Sequence, residues 1–586
     1  MACTTQARVD DIPVARLPSD VSPAWRPTGT QHSALLQLST DTFQQHARTN
    51  NPAFVWSRID SGSHFRLLTI IPGRPRPEDR PADAQYSPYR PSQGSGHERI
   101  PEYETLECTL HDVERGKSPA YTAISYTWGD TAKQAAHITC NLQAMDVTEN
   151  CYVVLSTLRR LGLYGPFWLD AICIAQSDTL ERSAQVTRMG DIFRQAPSTI
   201  VFLCEQPYDG GRAPAVALPA LRYLPGDIEE LRSMSGSELY DDYASLERSS
   251  QETAKRGTML RPEIFYYSPW FTRTWIVEEL MLAQQLDFVT EDSESLVPWS
   301  IVLKAYRQWR ERSLLSDIPD IILMRHPRLK NRSSSALQNI QCDTRSSVTS
   351  RINDSIVPGT TAFDPQRLFD VLEATRHFKC SDRKDKLFAV LPLFSNTPDL
   401  LRPDYLQSTF EVYRNLTWSF LQHNVSDILS LASFHHSHGG LSWVVDWSDA
   451  TPQAQRLIHY HHGTEWSAGC WPDRREVYCL LSSDDRALTL RGRSVGQVGM
   501  NNRVKLGDGG SAQIRTRQYA ARPGDLACIF LGFKVPFMLR YDDGILRLVD
   551  ECEIEGIMEG QALKDVDRAT AYDVDPTGPL EDFEIN

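Results

Sequence analysis

The chain has 586 residues, 41% of them hydrophobic and 23% charged, a balance typical of globular proteins with more than one domain. Its formal net charge of −14 argues against a nucleic-acid partner, and no run of about 18 to 20 apolar residues predicts a membrane span. Twelve cysteines without a Cys-x-x-Cys pair, and an N-terminus without a signal-peptide pattern, favour a cytoplasmic location and predict neither a disulfide framework nor a zinc site.

The N-terminal part of the chain changes character near residue 64. Residues 1–63 are polar and interrupted by proline, which predicts a mobile arm. FRLLTIIPG then forms an apolar run closed by Pro-Gly, and a second strand is predicted over Thr105–Leu110. The Pro-rich segment 74–100 between these two strands is interpreted as a loop.

The next stretch alternates short apolar runs with patterned segments. Thr122–Tyr126 and Phe167–Ile174 are interpreted as buried parallel strands, and Cys151–Leu161 carries an apolar stripe of helical period. Asp178 is suited to cap a second helix, and Glu181 lies in its first turn, where the helix dipole stabilises a carboxylate. This alternation predicts an α/β fold with a parallel sheet core and helical insertions.

Four ordered blocks of this stretch carry a family resemblance: YTAISYTWGD, PFWLDAICIAQ, ERSAQVTRMGDIFRQA and STIVFLC. In this order they resemble the HET domain of fungal heterokaryon-incompatibility proteins. PWFTRTWIVEELMLAQQ and RHFKCSDRKDKLFA are similar to later blocks, so the resemblance extends over most of residues 64–562. It implies a HET domain over 64–290, a role in growth arrest or programmed cell death, and partners that are other incompatibility proteins or a second copy of the chain.

Three positions depart from the usual pattern of this family. Ala175 stands where asparagine is usual, Cys204 where glycine is usual, and Glu278 where glutamine is usual. The resemblance therefore implies no role for Ala175 and Cys204.

One glutamate of the TRTWIVEELMLAQQ block is a candidate catalytic residue. Placed on a helix at about 100° per residue, Glu279 falls in the apolar sector that contains Trp275, whereas Glu278 falls on the polar edge. A buried carboxylate needs a partner or has a perturbed pKa suited to chemistry. The residues alone favour an ion pair with Arg273 or another arginine over a catalytic role.

A second resemblance supports the catalytic alternative. The block is similar to the Trp-x-x-x-Glu-Leu helix of TIR domains, and Ile-Ser-Tyr at 124–126 is similar to a TIR strand. This resemblance implies a flavodoxin-like sheet, NAD as a substrate and not a cofactor, Glu279 as the catalytic carboxylate, and activity that depends on self-association. The alternative is a non-enzymatic signalling module that acts through partner chains. An enzyme site requires Glu279, Asp130 and Tyr126 to converge on one pocket.

Candidate substrate-binding residues come from the same blocks. Asp130 lies just beyond the carboxyl end of its strand, where ligands collect in open α/β sheets. Asp170 interrupts a predicted strand and is more often satisfied by backbone amides or by Arg182 or Arg194. Trp128 is suited to stack on a nucleobase, although packing is the commoner role. The candidates are Tyr126, Trp128, Asp130, Asp170 and Trp275.

The remaining segments give an outline of the rest of the chain. We predict an insertion over 205–265, a mainly helical region over 291–430 with a disordered loop at 325–362, a β-rich accessory region over 431–562 and a disordered acidic tail over 563–586. Clustered histidines match no metal-ligand spacing, so no metal site is predicted; they are His435, His436, His438, His459, His461 and His462.

Overall fold

A computed structural model describes the chain over a set of separate ranges. These are residues 52–72, 106–129, 136–203, 221–223, 258–260, 268–291, 293, 295–299, 302, 362–432, 440–448, 467–469, 477–506, 510–516, 521–563 and 580–586. Several predicted features lie outside them: the Pro-rich loop 74–100, most of the insertion 205–265, almost all of the loop 325–362, the clustered histidines, Asp130 and Cys204.

The first half of the chain alternates strands with helices. Its strands are β1 (His64–Ile70), β2 (Glu107–Glu114), β3 (Thr122–Tyr126), β4 (Ala136–Cys140), β5 (Gln143–Val147), β6 (Phe167–Trp168), β7 (Ser198–Phe202), β8 (Leu221–Tyr223), β9 (Thr258–Leu260), β10 (Leu286–Val289) and β11 (Val297–Pro298). Its helices are α1 (Glu149–Arg160), α2 (Asp170–Cys173), α3 (Thr179–Val186), α4 (Met189–Gln195) and α5 (Ile276–Leu282).

A mixed sheet forms the centre of this half. Among the described residues its nine strands follow the order β11-β10-β7-β3-β6-β1-β2-β4-β5. The central strands β10, β7, β3 and β6 are parallel, whereas β1 pairs antiparallel with both β6 and β2. The predicted α/β class is confirmed, but the sheet is mixed. β2 and β4 also pair in parallel, whereas the β1–β2 pair and the edge strands β5 and β11 run antiparallel to their neighbours.

The predicted strand over Phe167–Ile174 is wrong beyond its second residue. β6 ends at Trp168, and the short helix α2 begins at Asp170, whose carboxylate accepts a hydrogen bond from the Ala171 amide at 2.8 Å. Asp170 therefore starts a helix, and Cys173 lies in that helix instead of in a strand. A short apolar run does not distinguish a buried strand from a buried turn of helix.

The second predicted helix is divided into α3 and α4. Asp178 caps α3 as predicted, because its carboxylate accepts hydrogen bonds from the amides of Leu180 at 3.0 Å and Glu181 at 3.1 Å. The chain turns at 187–188 before α4 begins. The apolar residues Val186, Met189 and Phe193, which follow the spacing of a single helix, are buried across both.

The middle of the chain is helical where it is described. It contains α6 (Pro365–Thr375), α7 (Asp385–Phe388), α8 (Thr409–Gln422) and the 3-10 helices Leu391–Leu393, Asp399–Leu401 and Ser426–Leu431. A capping box formed by Ser408 and Glu411 begins α8. The 3-10 helix at 391–393 packs against α4 and α5, so this region is continuous with the first half.

The C-terminal strands form a separate antiparallel assembly. They are β12 (Cys479–Leu481), β13 (Leu488–Val498), β14 (Arg503–Leu506), β15 (Ser511–Thr516), β16 (Leu526–Phe530), β17 (Phe537–Asp542), β18 (Ile545–Ile554) and β19 (Glu581–Ile585). Because β13 pairs with both β14 and β16, six of the described strands close into a ring in the order β13-β14-β15-β18-β17-β16. The predicted β-rich accessory region is confirmed, and apolar side chains such as Val504, Ile514 and Met538 form its own core.

The last residues of the chain differ from the predicted disordered tail. β19 pairs antiparallel with the first half of β13, in register from Leu488↔Ile585 to Gly492↔Glu581. Phe583 and Ile585 are buried, while the acidic residues Glu581, Asp582 and Glu584 are exposed. The acidic composition concealed an alternation of period two, which is the pattern of a half-buried strand.

Gly190 permits the close approach of α4 to the 3-10 helix at 391–393. A Cβ at this position would lie 2.4 Å from the Cβ of Pro392. We expect Gly190→Ala to lower the free energy of unfolding by about 1 to 3 kcal/mol, because the backbones must separate. Gly62→Ala is the control, since its Cβ would meet only the Asp60 side chain, at 3.1 Å. Equal urea midpoints for the two variants would contradict this packing.

Candidate functional site

A buried hydrogen-bonded network joins β3 to α5. The Ser125 hydroxyl donates a short hydrogen bond to the carboxylate of Glu279 and accepts one at 2.7 Å from the indole Nε1 of Trp270. Glu279 is 3% exposed and Trp270 is completely buried. The sequence places a small hydroxyl within the apolar strand TAISY, and α5 supplies the carboxylate that this hydroxyl contacts.

Arg273 lies on the other side of the Glu279 carboxylate. Its Nη2 lies 3.6 Å from Glu279 Oε1, and its Nη1 donates a 2.6 Å hydrogen bond to the carbonyl of Tyr126. The guanidinium thereby ties α5 to the last residue of β3. The arginine partner that the residues alone favoured for Glu279 is present.

Asp170 and Trp128 extend the network at the start of α2. Both carboxylate oxygens of Asp170 lie 3.1 Å from Trp128 Nε1, which donates to them. Desolvation raises the pKa of Asp170 to about 6; the positive charge of Arg273 opposes this shift and the negative charge of Glu279 adds to it. Two carboxylates and one guanidinium therefore act on one another at this edge of the sheet.

The arginines predicted as partners of Asp170 are engaged elsewhere. The guanidinium of Arg182 stacks on the ring of Tyr405, 3.9 Å from the ring centroid. Arg194 forms an ion pair of 2.6 Å with Asp191. That part of the prediction is wrong, because the indole of Trp128 and the Ala171 amide supply the hydrogen bonds instead.

The other candidate residues divide into two groups. Tyr126 is buried against the Cys151 thiol, and desolvation raises the pKa of its phenol well above the usual value. Trp275 faces away from this network, since its indole Nε1 donates to Asp385 Oδ2 at 3.1 Å in the middle region of the chain. The structure therefore gathers Tyr126, Trp128, Asp170 and Glu279, whereas Asp130 lies outside the described residues.

A family comparison matches the stretch that contains this network. The family model described as "Heterokaryon incompatibility protein (HET)" matches residues 121–279, a range that starts at Tyr121 and ends at Glu279. The resemblance to the HET domain is confirmed for these residues.

A curated relative supports the same family. The chain is 28% identical over 210 residues to "Heterokaryon incompatibility protein 6, OR allele" of Neurospora crassa. The match covers 32% of this chain and 31% of the relative, so the chain spans about a third of the length of that protein. No solved structure matches the chain.

Among the described residues, no helix is both long enough and apolar enough to cross a bilayer.

Glu278, within the range that the family model matches, does not lie on a polar edge as predicted. It is completely buried, and neither of its carboxylate oxygens has a hydrogen-bond partner among the described residues. Desolvation raises its pKa well above the usual value, and the charge of Glu279 adds to this shift. The prediction assumed a solvent-facing side for α5, but every residue of this helix is buried.

Glu181 has a stronger partner than the helix dipole. Arg66 on β1 donates to both of its carboxylate oxygens, at 2.6 and 3.0 Å, and the Ala175 amide donates at 2.8 Å. Arg66 is completely buried, and its guanidinium also reaches the carbonyl of Cys173 at 3.0 Å. This ion pair fixes α3 and the end of α2 against the antiparallel side of the sheet.

A cleft of about 230 Å³ lies apart from the network formed by Ser125, Trp270, Arg273 and Glu279. It separates α4 from the segment 391–403, and its lining includes Asp191, Arg194, Pro392, Phe394, Thr397 and Arg402. None of the gathered candidate residues lines this cleft.

The raised pKa of Asp170 predicts a specific pH dependence of stability. A carboxyl group whose pKa is raised from 3.8 to about 6 binds its proton more tightly in the folded state. Its contribution to stability is therefore complete below pH 3.8 and is lost as the pH rises through about 6. We expect the urea midpoint of the wild type, relative to that of Asp170→Asn, to fall over this window. A constant difference across the window would contradict the raised pKa.

Proposed function

We propose that this chain acts in heterokaryon incompatibility as a non-enzymatic module. In this proposal it works in the cytoplasm through contact with other incompatibility proteins or with a second copy of itself, and these contacts trigger growth arrest or cell death. The match of residues 121–279 to the HET family supports the incompatibility role. The relative that covers part of the chain carries the same name.

The observation that supports the non-enzymatic mechanism is that Ser125 and Arg273 already occupy the two sides of the Glu279 carboxylate. This side chain is 3% exposed, accepts a hydrogen bond from Ser125 and faces Arg273 at 3.6 Å. A carboxylate that is already matched by a guanidinium contributes its charge to the fold. It stabilises a developing positive charge on a substrate poorly, because its own counterion is fixed beside it.

A second candidate function is TIR-like cleavage of NAD, on a flavodoxin-like sheet and after self-association. The raised pKa of Asp170 favours it, since perturbed carboxylates cluster at functional sites. Glu279 would stabilise the positive charge that develops on the ribose as nicotinamide leaves. Arg273 would first have to move away from Glu279, so this mechanism requires an opened form of the network.

A paired substitution separates the two candidates. Arg273→Gln/Glu279→Gln removes both charges together, so it leaves no unpaired ion. We expect induced expression of this double variant in a filamentous fungus to arrest growth as the wild type does, at equal levels of folded protein. Loss of arrest in the double variant at wild-type abundance would favour the enzyme. If the wild type does not arrest growth in any incompatible pairing, the proposed role itself is contradicted.

A further inference from the structure

The unpartnered carboxyl of Glu278 lies where three elements meet. α5 packs against α4 on one side and against the 3-10 helix Leu391–Leu393 on another. Glu278 is completely buried on α5, and neither of its oxygens is hydrogen-bonded within the described residues. A buried polar group without a partner is rare in folded proteins and requires an explanation.

Arg194 on α4 has a buried donor without a hydrogen-bond partner among the described residues. Its Nη1 donates to Asp191 at 2.6 Å and its Nη2 donates to the carbonyl of Pro392 at 3.0 Å. Its Nε is buried and has no partner in the described part of the chain. Arg194 is also the described cation whose charge acts on Glu278. Within the described ranges, a buried guanidinium donor and a buried carboxyl group are thus both left without hydrogen-bond partners on neighbouring helices.

The contact of Arg194 with Pro392 has a structural consequence. Pro392 belongs to the segment 391–403 that forms the far wall of the cleft, and Arg194 lies on the near wall. The guanidinium bridges the two walls and holds this segment against α4. The charged groups that act on Glu278 are Arg194 and Asp191 from α4 and Glu279 from α5 itself, while Leu391–Leu393 carries no charge.

We propose that Arg194 is a two-position clamp: with Glu278 neutral it holds the Pro392 carbonyl, and with Glu278 ionised it turns to Glu278 and releases the segment 391–403. This inference goes beyond the proposed function and does not depend on it.

The direction of the switch follows from the cost of burying charge. A protonated Glu278 does not compete strongly for the guanidinium, so Arg194 remains on Asp191 and Pro392. An ionised carboxylate in the same position costs several kcal/mol unless it is paired, and Arg194 is the cation available among the described residues. Deprotonation therefore pulls Arg194 away from Pro392 and opens the cleft, and acidification closes it.

Hydrogen exchange in the full-length protein tests the clamp. The amides of Leu393, Phe394, Leu401 and Arg402 form local hydrogen bonds and report on the segment. We would measure their protection relative to an unstructured peptide from about pH 5 to about pH 9. We expect protection in the wild type to fall by about tenfold or more with rising pH. In Glu278→Gln it should stay at its low-pH value throughout, and in Arg194→Met it should be low at every pH.

Two further variants keep the test decisive. Asp399→Asn breaks the exposed ion pair between Asp399 and Arg402 in the same segment, so it should keep the pH dependence of the wild type. Glu278→Leu, which also lacks an ionisable group, replaces Glu278→Gln if the latter does not fold. Equal protection of the wild type and the non-ionisable variant at every pH would overturn the clamp, whether both stay constant or both fall.

Discussion

Arg66→Met is expected to lower the free energy of unfolding by about 3 to 5 kcal/mol, because it leaves a buried carboxylate without its counterion. Arg66 is completely buried, and Glu181 is 8% exposed. The guanidinium forms two hydrogen bonds to Glu181, at 2.6 and 3.0 Å, and contacts the carbonyls of Cys173 and Ser57. One side chain thus connects β1 to the end of α2, to α3 and to the segment before the sheet.

A matched control lies just after β2, the strand that pairs with the strand of Arg66. Lys117 forms an ion pair of 2.7 Å with Glu114, but these side chains are 73% and 46% exposed. Lys117→Met should change stability by about 0.5 kcal/mol or less, since exposed pairs contribute little. The free energies of unfolding of both variants would be measured by urea denaturation at neutral pH. If Arg66→Met were no less stable than Lys117→Met, the buried ion pair would not have the role assigned to it.

Glu279→Gln should have the second large effect, a loss of about 2 to 4 kcal/mol. The substitution weakens a charge-assisted hydrogen bond from Ser125 and leaves Arg273 without its carboxylate. The double variant with Arg273→Gln should be more stable than the sum of the two single effects predicts, because the charges are removed together. Additive effects would show that the two side chains do not interact.

Glu278→Gln is the control for this cycle, since it makes the same change one residue earlier on the same helix. Burial raises the pKa of the Glu278 carboxyl well above its usual value, which favours the neutral form. Exchanging a neutral acid for a neutral amide of the same shape should alter stability by about 1 kcal/mol or less near neutral pH. A cost as large as that of Glu279→Gln would mean that Glu278 is ionised in the folded protein.

The sequence predicted features that depend on neighbours close along the chain. Asp178 as a helix cap and the apolar stripe of α1 are local patterns, and both are present. The run Phe167–Ile174 failed because a buried strand and one buried turn of helix share the same composition. β19 was missed because acidic residues were given more weight than the alternating Phe583 and Ile585.

The candidate site was harder to predict because its contacts are distant in sequence. Ser125 and Trp270 are 145 residues apart, and only the fold shows that the indole donates to the hydroxyl. Ser125 stood within a family block as a small polar residue in an apolar strand, which was the available signal. Glu278 was misplaced because the 3-10 helix that covers α5 lies more than a hundred residues further along the chain.

The release of nicotinamide from NAD tests the non-enzymatic account most directly. The full-length protein would be incubated with NAD over a series of protein concentrations, with light scattering to record self-association and product separation to detect nicotinamide. Because Glu279 is closed off by Ser125 and Arg273, the account predicts no release above the protein-free blank at any concentration. Release by the wild type that persists in Glu278→Gln and disappears in folded Glu279→Gln would contradict it.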